Sequence, residues 1–221
     1  MQTLAHSGSG RAIAARPAPH RPRAQVVVGA LLVAIAMLAP PPTLARDAVE
    51  IINSLCVACH GLDGNPPATA FPRLGGLQAE YIEKQLLEYA RGERQNPSMQ
   101  PFAEGLSRIE MRALAAHYST QRPGPGVVTN PQLVERGRQV YHEGNRETGL
   151  PACAGCHRPD GTGTPRSVFL AGQNAPYVFD QMRLFANEER TNDRGRLMRT
   201  VAARMTEEEM RAVAEYIASM R

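Results

Sequence analysis

The stretch Cys56-Val57-Ala58-Cys59-His60 decides the fold, and it recurs 97 residues later as Cys153-Ala154-Gly155-Cys156-His157. Two cysteines at this spacing, followed directly by a histidine, form the attachment signature of a c-type haem. The two motifs use all four cysteines of the chain. In such a motif the histidine becomes the proximal ligand of the iron. The sequence therefore predicts two covalent haem c groups, attached through Cys56, Cys59, Cys153 and Cys156, with His60 and His157 as proximal ligands.

Two other structures could also use four cysteines. In an oxidising compartment they could form two disulfides, and two C-x-x-C pairs could make a four-thiolate zinc site. Neither alternative explains why a histidine follows each pair directly, or why each half also offers a candidate for a second iron ligand. Haem attachment is therefore the preferred interpretation.

Residues 1–45 are predicted to be a secretory signal peptide rather than part of the fold. Arg16, Arg21 and Arg23 precede fourteen small and apolar residues at 26–39, and a small-residue cleavage site follows at 43–45. A retained membrane anchor is the alternative, but the run is shorter than the roughly 20 residues that a membrane span needs. We therefore expect export across the inner membrane and a periplasmic location.

The charge balance gives no reason to expect a nucleic-acid partner. The whole chain has 25 Lys and Arg against 21 Asp and Glu, a formal charge of +4. Four of the arginines lie in the predicted signal peptide, so the mature chain has 21 residues of each sign. The basic character thus belongs to the leader, and we predict no binding to nucleic acid. Peripheral association with a membrane stays open.

An internal duplication extends well beyond the two haem motifs. Residues 74–81 match residues 170–177 at an offset of 96, and the offset becomes 99 at Met99 and Met198. Each copy predicts three main helices: a first at 48–56 or 132–142, a middle one at 79–90 or 176–186, and a last one. The last helix opens with a capping box, Ser107 with Glu110 and Thr206 with Glu209.

No convincing strand pattern is present, so the predicted fold class is all-α. A segment rich in proline and glycine at 121–129 separates the two copies and is predicted to be a linker. Each copy is small for a free-standing core, but a buried haem supplies an apolar centre around which a few helices can pack. We therefore predict two tandem haem-centred domains, at residues 46–120 and 130–221.

Met99 and Met198 are the predicted second axial ligands. Each follows the middle helix of its copy, 39 residues after His60 and 41 residues after His157. A thioether opposite a histidine saturates a low-spin iron and raises its reduction potential. Met205 is the main rival in the second copy, but it matches Leu106 and is predicted to be a core residue. Met111 and Met210 lie on the apolar face of the last helix and are predicted to pack.

Further positions are predicted to support the haem pockets. The backbone carbonyl of Pro72 could accept a hydrogen bond from the proximal imidazole and strengthen it as a ligand, and Val168 holds the matching position. Tyr81 and Tyr177 either bond a haem propionate or simply pack. For His117 and His142 we expect surface or local hydrogen-bonding roles.

The sequence resembles the cytochrome c4 family, periplasmic two-haem proteins built from two fused class I cytochrome c domains. The resemblance rests on the two C-x-x-C-H motifs, on the segments 72–76 and 170–173, and on Met99 and Met198 before the closing helices. It covers essentially all of the mature chain. It implies single-electron shuttling, with a quinol-oxidising membrane complex as donor and a terminal oxidase as acceptor. The chain departs from the family pattern at Val168 and in its scarcity of lysine, since Lys84 is the only one.

The leading functional hypothesis is an electron carrier rather than an enzyme. With both irons six-coordinate, no vacant site would remain for a substrate. The alternatives are a cytochrome subunit of a dehydrogenase or oxidase complex, and a dihaem enzyme such as a peroxidase or a thiosulfate-oxidising dehydrogenase. A peroxidase needs an iron that can become five-coordinate near polar catalytic groups, and the sequence shows no such constellation.

Overall fold

The first half of the chain begins with a helix that leads straight into the first haem motif. The computed structural model describes residues 45–221, so the predicted signal peptide lies outside the described residues except for Ala45. Asp47 caps the first helix by accepting from the backbone N–H of Glu50 at 2.8 Å. The helical elements of this half are α1 (Ala48–Ile51), a π-helical segment (Ile52–Cys56), α2 (Val57–His60), α3 (Ala79–Ala90), α4 (Gln100–Glu104) and α5 (Arg108–Ser119).

The second half repeats the plan, with one difference at the haem motif. Its first helix ends before the motif, and the intervening loop is closed by an isolated bridge between Asn145 and Leu150. The helical elements are a 3₁₀ turn (Pro131–Leu133), α6 (Val134–Glu143), α7 (Ala154–His157), α8 (Ala175–Ala186), a 3₁₀ turn (Arg194–Arg196), α9 (Leu197–Ala202) and α10 (Glu207–Ser219). The expected helical plan is therefore confirmed for the main helices, including the predicted end of the second-half first helix near His142.

Both predicted capping boxes are present at the starts of α5 and α10. The Ser107 hydroxyl accepts from the N–H of Glu110, whose carboxylate accepts in return from the N–H of Ser107. Thr206 and Glu209 form the same pair of hydrogen bonds. Each box satisfies backbone donors that have no partner inside the helix. The two closing helices are thus fixed at equivalent points of the repeat.

Each half has its own hydrophobic core between its first, middle and last helices. In the second half the core includes Val140 and Tyr141 of α6 with Val213 and Ile217 of α10. Gly137 lets α6 approach α10 closely, because a Cβ at this position would lie 1.9 Å from the carbonyl oxygen of Ala212. The core of the first half is built from Ile51, Ile52, Leu77, Ile82, Leu114, Ala115 and Tyr118.

Residues of the second half also pack on the core of the first half. Val168 and Phe169 lie against the first-half cluster, although Phe169 also contacts its own core. The segment predicted as a linker, 121–129, contains no regular element, and Gly124 and Thr129 within it are hydrogen-bonded to Asn65 and Glu215. The two halves are therefore joined by side-chain packing as well as by the chain. The exact domain boundaries stay a prediction.

Among the helices of residues 45–221, none combines the length and the apolar character that crossing a membrane requires.

Candidate haem sites and the junction between the halves

The two histidines predicted as proximal ligands have the same kind of hydrogen-bond partner, a backbone carbonyl. The Nδ1 atom of His60 lies 3.1 Å from the carbonyl oxygen of Pro72, and the Nδ1 atom of His157 lies 3.0 Å from that of Val168. Burial lowers the pKa of both histidines, and the carbonyl acceptors offset only part of this effect. Each imidazole is therefore neutral, donates from Nδ1 and keeps the Nε2 lone pair for a metal. This arrangement confirms both predicted carbonyl acceptors.

No disulfide joins any two of the four cysteines. Burial raises the pKa of Cys153 to about 11 and also raises the pKa of Cys56. The described chain contains no group of three or more His, Cys, Asp or Glu side chains placed to hold a metal ion, so residues 45–221 do not assemble the four-thiolate zinc site. Each pair remains free to bond one porphyrin.

The loop that follows each histidine closes onto the next segment in the same way. The carbonyl oxygen of Gly64 accepts from the N–H of Leu74 at 2.8 Å, and that of Gly161 accepts from Leu170 at 2.7 Å. Gly64 has a φ of +75° and Gly161 has a φ of +72°. Both values lie in the left-handed region, which glycine adopts more readily than other residues. These turns bring the carbonyls of Pro72 and Val168 back to the histidines.

The predicted methionine ligands take similar positions after the middle helix. Met99 is the residue immediately before α4, and its N–H donates to the Asn96 side chain at 2.9 Å. Met198 lies in the first turn of α9, next to a kink at Arg194–Arg196. Both methionines are half-buried.

The other methionines and histidines have the environments expected of them. Met111 and Met210 are buried, and Met205 packs at the edge of the second-half core. His117 contacts the carbonyl oxygen of Leu62 at 3.2 Å, and His142 contacts the hydroxyl of Tyr216 at 2.9 Å. The two histidines thus have local hydrogen-bonding roles, as predicted.

A polar cluster with approximate two-fold symmetry lies between the halves. Arg94 donates to Gln85 of its own half at 2.7 Å and to Tyr177 and Gln181 of the other half at 3.1 and 2.7 Å. Arg190 mirrors it, donating to Gln181 of its own half at 2.7 Å and across to Tyr81 and Gln85 at 3.2 and 3.1 Å. Each guanidinium therefore contacts both halves.

The cluster holds two buried cations without carboxylate partners. Arg94 and Arg190 are only 5% and 8% exposed, and neither guanidinium takes part in any ion pair of the described chain. Residues 1–44 contain no Asp or Glu. Burial raises the pKa of Tyr81, but the guanidinium groups of Arg190 and Arg94 outweigh this effect and lower it overall. Buried charges are normally paired, so the cluster suits anionic groups such as the carboxylates of two haems.

A second set of contacts at the junction joins side-chain amides to the backbone of the other half. Gln173 accepts from the N–H of Arg73 at 2.7 Å and donates to its carbonyl oxygen at 2.9 Å. Gln78 accepts from the N–H of Phe169 at 3.1 Å and donates to the carbonyl oxygen of Ser167 at 3.2 Å. Asn174 adds a bond to the carbonyl oxygen of Phe71 at 3.0 Å.

The side chain of Arg73 also crosses the junction. Its guanidinium donates to the backbone carbonyls of Gly124 and Ala171. Burial lowers the pKa of Arg73 to about 10, so it remains a cation at neutral pH.

The sequence predictions did not include the arginine cluster or the amide contacts. Arg94 and Arg190 match at the offset of 96 that also relates Tyr81 to Tyr177 and Gln85 to Gln181, so the repeat carried a signal for the cluster. For the amide contacts the signal was partial. Gln78 matches Asn174 at the same offset, and their acceptors, the carbonyls of Ser167 and Phe71, match as well. Gln173 has no such counterpart, because it matches Leu77.

Two all-α halves, each with a C-x-x-C-H motif whose histidine is oriented by a backbone carbonyl, define a dihaem class I cytochrome c. The family model described as "Cytochrome c" matches residues 134–221, and the model described as "Cytochrome C oxidase, cbb3-type, subunit III" matches residues 43–117. The chain belongs to the cytochrome c4 family. It is accordingly a c-type electron carrier with two covalently bound haem c groups.

Similarity to named relatives extends over most of the described chain. Cytochrome c4 of Thiocapsa roseopersicina is 40% identical over 168 residues, covering 75% of this chain and 86% of the relative. The crystal structure of reduced recombinant cytochrome c4 from Pseudomonas stutzeri matches with a TM-score of 0.74 and 34% identity, covering 80% of this chain and 100% of that one. A "Thiosulfate dehydrogenase electron acceptor" of Thiomonas intermedia (strain K12) is 37% identical over 168 residues, covering 74% of this chain and 77% of the relative.

Proposed function

We propose that this protein is a periplasmic single-electron carrier of a respiratory chain, with both irons held by a histidine and a methionine. The observation that carries the proposal is the matched histidine geometry, in which Nδ1 of His60 and of His157 is engaged by a backbone carbonyl and Nε2 is left for the iron. Cys56, Cys59, Cys153 and Cys156 would attach the two porphyrins, and Met99 and Met198 would complete the coordination.

A c-type haem supplies a reversible one-electron couple at its iron. The residues of the chain determine how that couple behaves. His60 and His157 are held by the carbonyls of Pro72 and Val168, and the two methionines would close the remaining coordination position against external ligands. Arg94 and Arg190 would pair with haem carboxylates at the junction of the halves. An enzyme that binds a substrate at iron would need an open position, so we propose that the protein is not an enzyme.

The ligand assignment is tested by an EPR spectrum of the oxidised holoprotein together with its iron-to-protein ratio. We expect two low-spin haems per chain and a spectrum that cyanide and peroxide leave unchanged. One high-spin or peroxide-sensitive haem would mean an open iron, and the carrier proposal would give way to an enzyme. Protein matured correctly but without bound iron would contradict the assignment altogether.

The proposal leaves two candidate electron donors for the haems. The family resemblance favours a quinol-oxidising membrane complex as donor and a terminal oxidase as acceptor, with peripheral association at that membrane. The similarity to the Thiomonas intermedia protein favours a second candidate, in which a thiosulfate dehydrogenase reduces the protein, either as a free partner or as the other subunit of a complex.

The two candidates differ in reduction kinetics and in co-purification. Stopped-flow mixing of the oxidised protein with each purified donor would measure the rate of haem reduction. Fast reduction by the quinol-oxidising complex alone supports the respiratory carrier, and fast reduction by the thiosulfate dehydrogenase alone supports the second candidate. Co-purification of an endogenous dehydrogenase at a fixed ratio would identify a permanent subunit.

A further inference from the structure

One peptide group links His60 to the opposite half of the molecule. The carbonyl of the peptide between Pro72 and Arg73 accepts from Nδ1 of His60 at 3.1 Å. The N–H of the same peptide donates to the side-chain oxygen of Gln173 at 2.7 Å. Gln173 is 5% exposed, so water does not compete for this bond. A single amide therefore connects the first histidine to a glutamine from the second half.

The second histidine is linked in the same way, in the opposite direction. The carbonyl of the peptide between Val168 and Phe169 accepts from Nδ1 of His157 at 3.0 Å. The N–H of that peptide donates to the side-chain oxygen of Gln78 at 3.1 Å. Each histidine is thus held through a peptide group whose other end is bonded by the other half.

We propose that Gln173 and Gln78 are positioning residues that act crosswise, so that each half adjusts the reduction potential of the haem carried by the other. The proposal rests on His60 and His157 as iron ligands, as assigned above. Each glutamine is hydrogen-bonded to the intervening peptide group, and both act on the histidine through that group.

The physical basis is polarisation of an amide between two hydrogen bonds. When the N–H of a peptide donates, its carbonyl oxygen becomes a better acceptor, and chains of such bonds strengthen one another. A stronger acceptor at Nδ1 makes the imidazole a better electron donor at Nε2. A more strongly donating imidazole favours the oxidised iron, so each glutamine lowers the potential of the haem in the opposite half.

The glutamines are anchored firmly enough for this role. The Gln173 amide also donates to the carbonyl oxygen of Arg73 at 2.9 Å, so it is hydrogen-bonded to both the N–H and the carbonyl of that residue. The Gln78 amide donates to the carbonyl oxygen of Ser167 at 3.2 Å. Because these contacts exist only when the halves are docked, docking of the halves contributes to both potentials.

The test is a redox titration in which the signals of the two haems are followed separately by NMR. Gln173→Leu should raise the midpoint potential of the N-terminal haem and leave the C-terminal haem unchanged. Gln78→Leu should give the reverse pattern. Amide hydrogen exchange should accelerate at Arg73 in the first variant and at Phe169 in the second. Gln173→Glu keeps an acceptor oxygen and should not raise the potential of the N-terminal haem.

Asn174→Ala is the matched control, because it removes a bond across the junction to Phe71 but leaves both relays intact. It should leave both potentials unchanged. A shift of the haem in the variant's own half, equal shifts of both haems, no shift at all, or a control that reproduces the Gln173→Leu shift would each overturn the proposal.

If Gln173→Leu does not yield holoprotein, Gln78→Leu and Gln173→Glu still decide the matter. The EPR spectrum of the unmodified protein distinguishes failure of the ligand assignment from failure of the positioning role. Without two histidine- and methionine-ligated low-spin haems in it, the ligand assignment fails. With them but without the crosswise pattern, only the positioning role fails.

Discussion

The guanidinium group of Arg94 donates a hydrogen bond to the phenol oxygen of Tyr177 in the other half of the chain, with 3.1 Å between the two atoms. Arg190 and Tyr81 form the mirrored bond at 3.2 Å. Both arginines also donate to the side-chain oxygens of Gln85 and Gln181, so the two guanidinium groups lie close together. Their mutual repulsion in a buried site is costly unless anions compensate it. The junction is therefore a cationic site, and the carboxylates of the two haems are the anions that the cofactors bring with them.

The first prediction concerns this charge. Replacing Arg94 with Gln should lower the reduction potentials of both haems, because a buried cation favours the reduced iron, which carries one positive charge fewer. The effect should be on the order of 1 kcal/mol per electron, the size expected of a charge that acts through the protein at a high effective dielectric constant. Potentiometric titration measures it. Arg91→Gln is the control, since Arg91 is exposed and pairs with Glu93. The potentials of both haems should be unchanged in this variant.

The second prediction concerns the methionine ligands. Met99→Ala and Met198→Ala should each lower the potential of one haem and open one iron to cyanide, because the thioether both raises the potential and fills the coordination site. EPR with added cyanide should show a change in half of the low-spin signal. Met205→Leu, at the edge of the second-half core, should change neither haem. A cyanide-sensitive iron in Met205→Leu, with an insensitive Met198→Ala, would move the second ligand to Met205.

Local patterns in the sequence predicted local structure well. The capping boxes at Ser107 and Thr206 form as expected because their partners lie three residues away on the same helix. The Pro72 and Val168 carbonyls also meet the histidines as expected, since only 11 or 12 residues separate the partners. Such short-range geometry depends little on the rest of the fold.

The missed features depend on how the halves meet. The bond between Arg73 and Gln173 joins residues 100 positions apart, and no periodicity in either segment signals it. The π-helical segment Ile52–Cys56 was predicted as ordinary helix, because hydrophobic spacing does not separate the two over a single turn. Gln78 and Gln173 occupy different positions of the repeat, so aligning the copies hides their shared role. Docking of two similar domains thus adds asymmetric contacts to a symmetric repeat.

The third prediction concerns the contact between α6 and α10. Gly137→Ala should destabilise the second half by about 1–3 kcal/mol, the usual cost of overpacking, because the new methyl group would lie 1.9 Å from the carbonyl oxygen of Ala212. Chemical denaturation measures the loss. Gly105→Ala is the matched control, since its nearest neighbouring atom would lie 3.6 Å away. Equal stability of the two variants would show that the helices can separate at little cost.

The last prediction concerns acid stability and the contact between Arg46 and Glu110. The carboxylate of Glu110 accepts from Nε of Arg46 at 2.8 Å and from the N–H of Ser107 at 2.8 Å. The Arg46 side chain, and then the Ser107 N–H, lower the pKa of Glu110 from 4.5 to about 2. Since the folded pKa lies below the unfolded one, the ionised carboxylate stabilises the fold above pH 4.5, and this contribution disappears as the pH falls towards 2.

Glu110→Gln should therefore reduce the free energy of unfolding at pH 7 by about 1 kcal/mol. This is less than a buried hydrogen bond to a charged group contributes, because the Arg46 side chain is 37% exposed and water screens the pair. The difference from the unmodified protein should shrink between about pH 5 and pH 2. Urea denaturation at a series of pH values measures this difference. Glu104→Gln is the control, because within residues 45–221 the Glu104 carboxylate bonds to the exposed Gln100 side chain, and this variant should lose little of the free energy of unfolding. A constant deficit for Glu110→Gln down to pH 3 would mean that packing, and not the ionised carboxylate, accounts for its contribution.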